Sequence, residues 1–212
     1  HIPSRQTEKQ EAFLYNYDMI GNQMVNAGAL HQMLKPYKAH LITGHTHYNL
    51  NVVFDENLME HNTAAVCGTW WKADICLDGT PRGYGIYEVN DNDVKWYYKS
   101  SGYPKEHQFR SYPVGASKEH PSDIIANVWN WDKLWKVEWL EDGQLMGNMT
   151  RYTGLDPYAS VVCSDREKMV YTWITPRPTQ HMFRATPKNK DAHITVKVTD
   201  RFGKEYIQTI NP

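Results

Sequence analysis

The chemistry in this chain is densest at Gly44-His45-Thr46-His47. Neutral imidazole is a good ligand for Zn, Fe or Mn, and two imidazoles close in sequence can reach neighbouring ions. A glycine ahead of them lets the backbone turn sharply without a Cβ clash. Two solvated histidines on a surface loop are the plain alternative, but the context favours metal. Ala39-His40-Leu41-Ile42-Thr43 reads as a short buried strand that runs into Gly44. Both rings then sit at a strand's carboxyl end, where α/β folds place ligands. His1-Ile2-Pro3 is a weaker clue, because a leading histidine alone signifies little.

Other residues offer less. Arg82 lies in the turn from Asp78 to Gly83 and could reach a phosphate oxygen, since a guanidinium fork matches phosphate well; a solvated turn arginine is the simpler reading. Trp70 and Trp71 come after an expected strand, and one of them could wall a substrate cleft, with core packing equally open. Asp55, Glu56, Glu60 and His61 resemble a cation site but read as a solvated loop face. Trp129, Trp131, Trp135 and Trp139 suggest sugar stacking. Alternation, however, puts Trp135 and Trp139 on one strand face with Val137, which is a core signature. His31, His40, His61, His107, His120, His181 and His193 lack a metal-like arrangement and read as ordinary.

The elements that must position these residues change character along the chain. Residues 7–35 are helix-compatible, opening with Ala12, Phe13, Tyr15 and Tyr17 and broken by Gly21 and Gly28. The second piece, Ala27 to Lys35, places Leu30, Met33 and Leu34 on one face, and Pro36 stops it. Helix, turn, buried strand and glycine loop together make α/β grammar. Strands are then expected at Asn51–Phe54, Ala64–Cys67, Gly85–Val89 and Val94–Tyr98, with a hairpin turn at Asn90–Asp93. Residues 100–122, carrying three prolines and two glycines, read as a linker or surface crossing. From 123 onward strands and turns alternate: Trp135–Trp139, a turn at Glu141–Gly143, Val170–Ile174, Ile194–Val198, and a hairpin at Asp200–Lys204 into Tyr206–Ile210. Short strands at this spacing argue for a β-sandwich over 123–212.

Composition bounds the function. The 212 residues include 8 Trp, 14 Tyr and 5 Phe, an aromatic-rich chain long enough for a real core. A net charge of −1 leaves no broad field to collect nucleic acid, and no apolar run is long enough for a membrane helix. Cys67, Cys76 and Cys163 form no C-x-x-C pair and cannot make a disulfide framework; three buried apolar thiols is the reading, with one bridge conceivable. The first residue is His1 rather than Met, so an upstream segment is expected to be missing.

Taken together, His1 with Pro3 and Gly44-His45-Thr46-His47 resemble the last two blocks of the calcineurin-like metallophosphoesterase superfamily, whose earlier blocks run D-x-H, G-D-x-x-D and G-N-H-D/E. Cys67-Gly68-Thr69-Trp70-Trp71 and Asp78–Tyr84 are similar to the segment after the last block in one bacterial, often exported, branch. Ala126–Asp132 and Thr199–Gly203 are similar to that branch's β-rich carboxyl-terminal domain. The resemblance implies an α/β remnant over 1–99, the carboxyl-terminal half of a metallophosphoesterase β-sandwich flanked by helices. Beyond the linker it implies an all-β accessory sandwich. It implies two divalent ions, with His1 and His45 on one and His47 on the other, and a periplasmic or extracellular location. The phosphoester substrate would meet Trp70 and Arg82.

The first three blocks, which in the family supply the bridging Asp, the Asn ligand and most ligands of the first ion, are absent. Two dications about 3.5 Å apart repel strongly, and carboxylates normally offset this. The chain alone is therefore expected to be inactive, the second part of a longer enzyme. Missing strands should leave an exposed apolar face or unpaired edge, which a dimer could cover. The alternative function is a non-catalytic binding protein whose Trp-rich sandwich recognises a glycan or protein.

Overall fold

The structure is a computed structural model that describes residues 1–6, 22–189 and 191–210. The first expected helical piece, with Ala12, Phe13, Tyr15, Tyr17 and Gly21, lies outside the described residues. Among the described residues the chain is mostly β-sheet with two short helices. No helix among the described residues is long and apolar enough to cross a membrane.

Helix α1 (Ala27–Leu34) leads into β1 (Ala39–Thr43), as the pattern predicts. β1 pairs in parallel with β3 (Leu58–Asn62), which pairs antiparallel with β2 (Leu50–Val53), giving the order β1-β3-β2. Neither α1 nor β1 is as buried as expected. Only Ala27 of the helix is buried, Met33 is 73% exposed, and Ile42 on β1 is 57% exposed. For β1 the reason is topological: among the described residues it is an edge strand, paired on one side only.

β4 (Gly83–Asn90) and β5 (Asp93–Ser100) form the expected hairpin, with Asn90 opposite Asp93 and Asp91 at φ 51° in the turn. Ala64–Cys67, expected as a strand, is irregular chain that enters a turn at Val66; the strand lies a few residues earlier, in β3. Inside the stretch read as a linker, β6 (Arg110–Tyr112) pairs with β7 (Ile124–Asn127), and Phe109 is buried in the core. That stretch is thus a surface crossing only in part.

The remainder is built on two four-stranded sheets. One has the order β10-β11-β7-β6, the other β13-β12-β8-β9. Their added strands are β8 (Lys136–Glu141), β9 (Gln144–Asn148), β10 (Thr150–Gly154), β11 (Thr179–Ala185), β12 (Ile194–Thr199) and β13 (Glu205–Ile210). Ile194, Val196 and Val198 alternate inward from β12 and pack with Trp135, Val137 and Trp139 and with Ile124, Ala126 and Phe183 of the other sheet. The turn Glu141–Gly143 forms with Asp142 at φ 48° and Gly143 at φ 81°, the left-handed pair a tight hairpin needs.

One helix departs from the expectation of strands alone. α2 (Pro157–Ser164) starts where Asp156 accepts a hydrogen bond from Ala159 N at 2.8 Å and Pro157 fills the first helical position. The strand expected at Val170–Ile174 does not form: Ile174 packs inward against Met169 and Cys163 from a loop, while Val170 faces solvent.

Buried polar bonds join the early strands to the later sheets. Asn49 Nδ2 donates to Trp129 O at 2.5 Å, and Asn51 Nδ2 to Asn130 O at 2.8 Å. Asp78 accepts from Asn49 N at 2.9 Å and from Thr80 Oγ1 at 2.7 Å, with His181 Nε2 3.3 Å away. His181, read as ordinary, is one of these structural links.

Candidate metal-histidine loop

β1 delivers the glycine loop at its carboxyl end, as the strand-then-glycine pattern predicts. Thr43 is the last paired residue, and Gly44 N donates to His1 O at 2.9 Å, which draws the His1 segment across the strand end. His45 and His47 both take left-handed backbone, at φ 75° and 57°. Non-glycine residues avoid this region unless their surroundings hold them there, and such strain concentrates at functional loops.

His1 and His45 meet. Nε2 of His1 lies 3.2 Å from Nδ1 of His45, with the rings edge-on and their centroids 5.0 Å apart. Asn22 Oδ1, 2.9 Å from His45 Nε2, accepts the proton there, so the His45 lone pair is on Nδ1, toward His1. Asn22 had no signal in the sequence: it is a polar residue in a turn, brought to the loop only by the fold.

His47 faces other neighbours. Its Nδ1 lies 3.8 Å from Cys67 Sγ, and its ring stacks on Trp70 with centroids 4.8 Å apart and planes 29° apart. Burial holds its pKa below the ordinary histidine value, with the nearby His45 acting the same way. Among the described residues no three His, Cys, Asp or Glu side chains gather to hold a metal ion. The donors at hand are imidazole nitrogens with no carboxylate gathered beside them among the described residues, so they fit part of a dinuclear donor set and not a whole one.

The acidic cluster is a correction. Glu60 and His61 are not on a solvated loop; all five residues of β3 are buried. Glu60 is hydrogen-bonded by Ser4 through both its backbone N–H, at 2.7 Å, and its hydroxyl, and by Thr43 Oγ1 at 2.9 Å. A buried carboxylate survives because its lone pairs are filled. Asp55 is a turn residue, accepting from Asn57 N at 2.7 Å and Leu58 N at 2.9 Å.

Trp70 sits beside the histidine loop. The turn that carries it is pinned by Thr69, whose buried hydroxyl donates to Ile75 O at 2.6 Å. Gly68, at φ 52°, has carbonyls of Ala73 and Ile75 where a Cβ would go. Trp70 touches Trp173 edge to face at 4.8 Å, and Trp173 stacks on Tyr171 at 5.6 Å. Trp173 and Tyr171 were invisible as site residues, about a hundred positions away in sequence. Arg82 is half-buried, with its backbone N–H on Asp74 O at 2.9 Å and its guanidinium without a hydrogen-bond or ion-pair partner among the described residues. The three cysteines are free. Cys76 and Cys163 are buried, and burial raises both thiol pKa values; Cys67 is half-buried beside His47.

These features define a class first: a β-rich protein with histidines on a strained glycine loop at a strand's carboxyl end. The chain belongs to the calcineurin-like phosphoesterase family; a family model described as the C terminal of calcineurin-like phosphoesterase matches residues 60–206. That match begins in β3 and does not include the histidine loop, so loop and match are separate lines of support. No curated protein and no solved structure matches the chain.

Proposed function

We propose that this chain is the carboxyl-terminal portion of a dinuclear metal-dependent phosphoesterase that hydrolyses phosphomono- or diesters. Residues 1–99 form the remnant of the catalytic α/β domain, 100–122 the connection, and 123–212 an accessory β-sandwich. His1 and His45 would hold one divalent ion and His47 the other, whether Zn, Fe or Mn, with carboxylates from upstream sequence completing the set. When bound, the ions supply a water acidic enough to act as hydroxide at neutral pH and positive charge for the phosphate oxygens. This chain's own residues orient and enclose: Asn22 fixes the His45 tautomer, Glu60 and Ser4 fix the His1 segment, and Trp70 and Arg82 border the substrate. Without the acidic ligands the chain alone is inactive. The exported habit of the similar branch supports a periplasmic or extracellular location.

The observation that carries this reading is the approach of His1 Nε2 to His45 Nδ1 at 3.2 Å across 44 residues of sequence, on the loop whose motif matches the family's last block. The test is a longer chain that includes the D-x-H, G-D-x-x-D and G-N-H-D/E blocks. It should bind about two divalent ions per chain and hydrolyse phosphoesters, and His45→Ala should remove at least one ion. Unchanged metal content in His45→Ala and His47→Ala, with no metal-dependent hydrolysis, would overturn it. The binding-protein alternative has less support, since Trp129, Trp135 and Trp139 are buried and form no solvent-facing row.

A further inference from the structure

Trp70 is 38% exposed, Trp71 71% and Trp173 56%, and Tyr171 is exposed beside them. These side chains do not stabilise a core, yet the turn presenting the first two is rigidly built. Thr69 is buried, Gly68 is hemmed in by carbonyls, and Trp71 N closes the turn onto Cys67 O at 2.7 Å. Trp70 and Trp71 occupy left-handed backbone, at φ 48° and 64°, where bulky side chains rarely sit. A pinned turn that holds two indoles in strained backbone toward solvent is better explained by a ligand than by packing.

The rings form a corner. His47 and Trp70 are near-parallel, 29° apart, and Tyr171 and Trp173 are near-parallel, 25° apart. The two stacks meet at 88°, where Trp70 touches Trp173. A flat aromatic ring can lie face-on against one wall and edge-on against the other, the two arrangements aromatic pairs prefer. A sugar or alkyl chain would use only one wall well. Because His47 is both a member of the corner and a candidate metal ligand, a phosphate at the histidine loop would have its alcohol portion within reach of these rings.

We infer that the Trp70–Trp173–Tyr171 corner is a subsite for a planar aromatic ring on the alcohol portion of the substrate, so that the preferred phosphoesters are of the nucleotide class. This rests on the phosphoesterase reading for the phosphate, but not for the ring. Saturation-transfer NMR on this chain with adenosine 5′-monophosphate should show transfer to the base protons. The transfer should fall about tenfold in Trp173→Ala and be retained in Trp173→Phe, in line with the usual worth of a base–aromatic stack. Tyr171→Ala, at the outer edge, should weaken it less, and glucose 6-phosphate should show little transfer. Equal transfer to both ligands, or transfer undiminished in Trp173→Ala and Tyr171→Ala, would overturn the inference. In the longer metal-loaded chain, the kcat/KM ratio for adenosine 5′-monophosphate over glycerol phosphate should fall about tenfold in Trp173→Ala. Base-proton transfer without turnover of any phosphoester removes the phosphoesterase reading and leaves the subsite standing; turnover without ring discrimination does the reverse.

Discussion

Ser4 occupies both carboxylate oxygens of Glu60, its backbone N–H on one and its hydroxyl on the other, although 56 residues separate them in sequence. With its proton committed to Glu60, the Ser4 hydroxyl accepts from His31 Nε2 at 2.9 Å, so helix α1, the leading segment and β3 are tied at one point. Three residues before Ser4 is His1. Glu60 therefore anchors the segment that carries His1 without touching His1 itself.

Removing that carboxylate should be costly. Glu60→Ala leaves the Ser4 N–H, the Ser4 hydroxyl and the Thr43 hydroxyl without their acceptor in a buried place, a loss of about 3 kcal/mol. Urea denaturation should show this as a lowered midpoint at unchanged slope. His45→Ala, on an exposed ring, should change stability by less than ~0.5 kcal/mol. Equal effects from the two variants would show that Glu60 does not hold the segment.

Acid should destabilise the fold through His61. Burial, then the neighbouring His40 and Arg201, lower its pKa to about 3, so the folded state keeps it neutral. Asn51 Nδ2 donates to Asn130 O, leaving Asn51 Oδ1 to accept from His61 Nδ1–H at 3.1 Å; His61 Nε2 then accepts from His40 Nδ1–H at 2.8 Å. The unfolded chain protonates this histidine near its ordinary value of 6.5. Between pH 6.5 and about 3 the unfolded state thus binds the extra proton, and stability falls as pH falls, by up to ~1.4 kcal/mol per pH unit. His107, lowered by burial to about 4, adds in the same direction. His61→Gln should flatten the stability slope between pH 6 and 4.5 by about 1 kcal/mol per unit. An unaltered slope in urea titrations across that range would refute the assignment.

The contrast between β3 and β12 shows what a sequence makes legible. Ile194, Val196 and Val198 alternate with Thr195 and Lys197, and β12 buries alternate residues as the period demands. β3, Leu58-Met59-Glu60-His61-Asn62, buries all five residues, and its polar half looks solvated until the partners Ser4, Thr43 and Asn51 are known. α2 was hidden for another reason. Val161 and Val162 lower its helix propensity in only eight residues, though Asp156-Pro157 is a readable start. At the site, the histidine loop was visible as a local motif. Asn22, which meets His45, and Trp173 and Tyr171, which stack outward from Trp70 beside the loop, were not, because tertiary contacts that no spacing encodes bring them there.

The outer side of β1 offers a test of the missing-strand reading. Ile42 is exposed on this edge strand and Tyr37 is exposed two residues before it, apolar surface of the sort proteins usually cover. If the rest of the phosphoesterase sheet normally lies there, this chain alone should associate as its concentration rises, seen by sedimentation velocity. Ile42→Lys should shift it toward monomer with an unchanged circular dichroism spectrum. A chain that stays monomeric at high concentration would show that the surface needs no cover.

Gly79 reports how tightly the Asp78 turn is bound to the later sheets. At φ +81° it is left-handed, and a Cβ added there would fall inside the Asp156 side chain. Asp156 cannot retreat, because Oδ1 accepts from Ala159 N at 2.8 Å at the start of α2, while Oδ2 accepts from Asn127 Nδ2 at 2.8 Å and Tyr112 OH at 2.6 Å. Gly143 has the same φ of +81° with open space around its would-be Cβ. Gly143→Ala therefore carries only the backbone cost, about 1 kcal/mol, whereas Gly79→Ala adds the loss of the Asp156 bonds and should exceed ~3 kcal/mol. Thermal denaturation of the two variants separates backbone strain from contact. Because Asn127 also donates to Asp78 O at 3.0 Å and accepts from His181 Nδ1 at 2.7 Å, the damage in Gly79→Ala should spread to the Asn49–Asp78 bond. Faster amide exchange at Asn49 than in Gly143→Ala would register that spread, and equal exchange in the two would show that the turn and the sheets are not coupled.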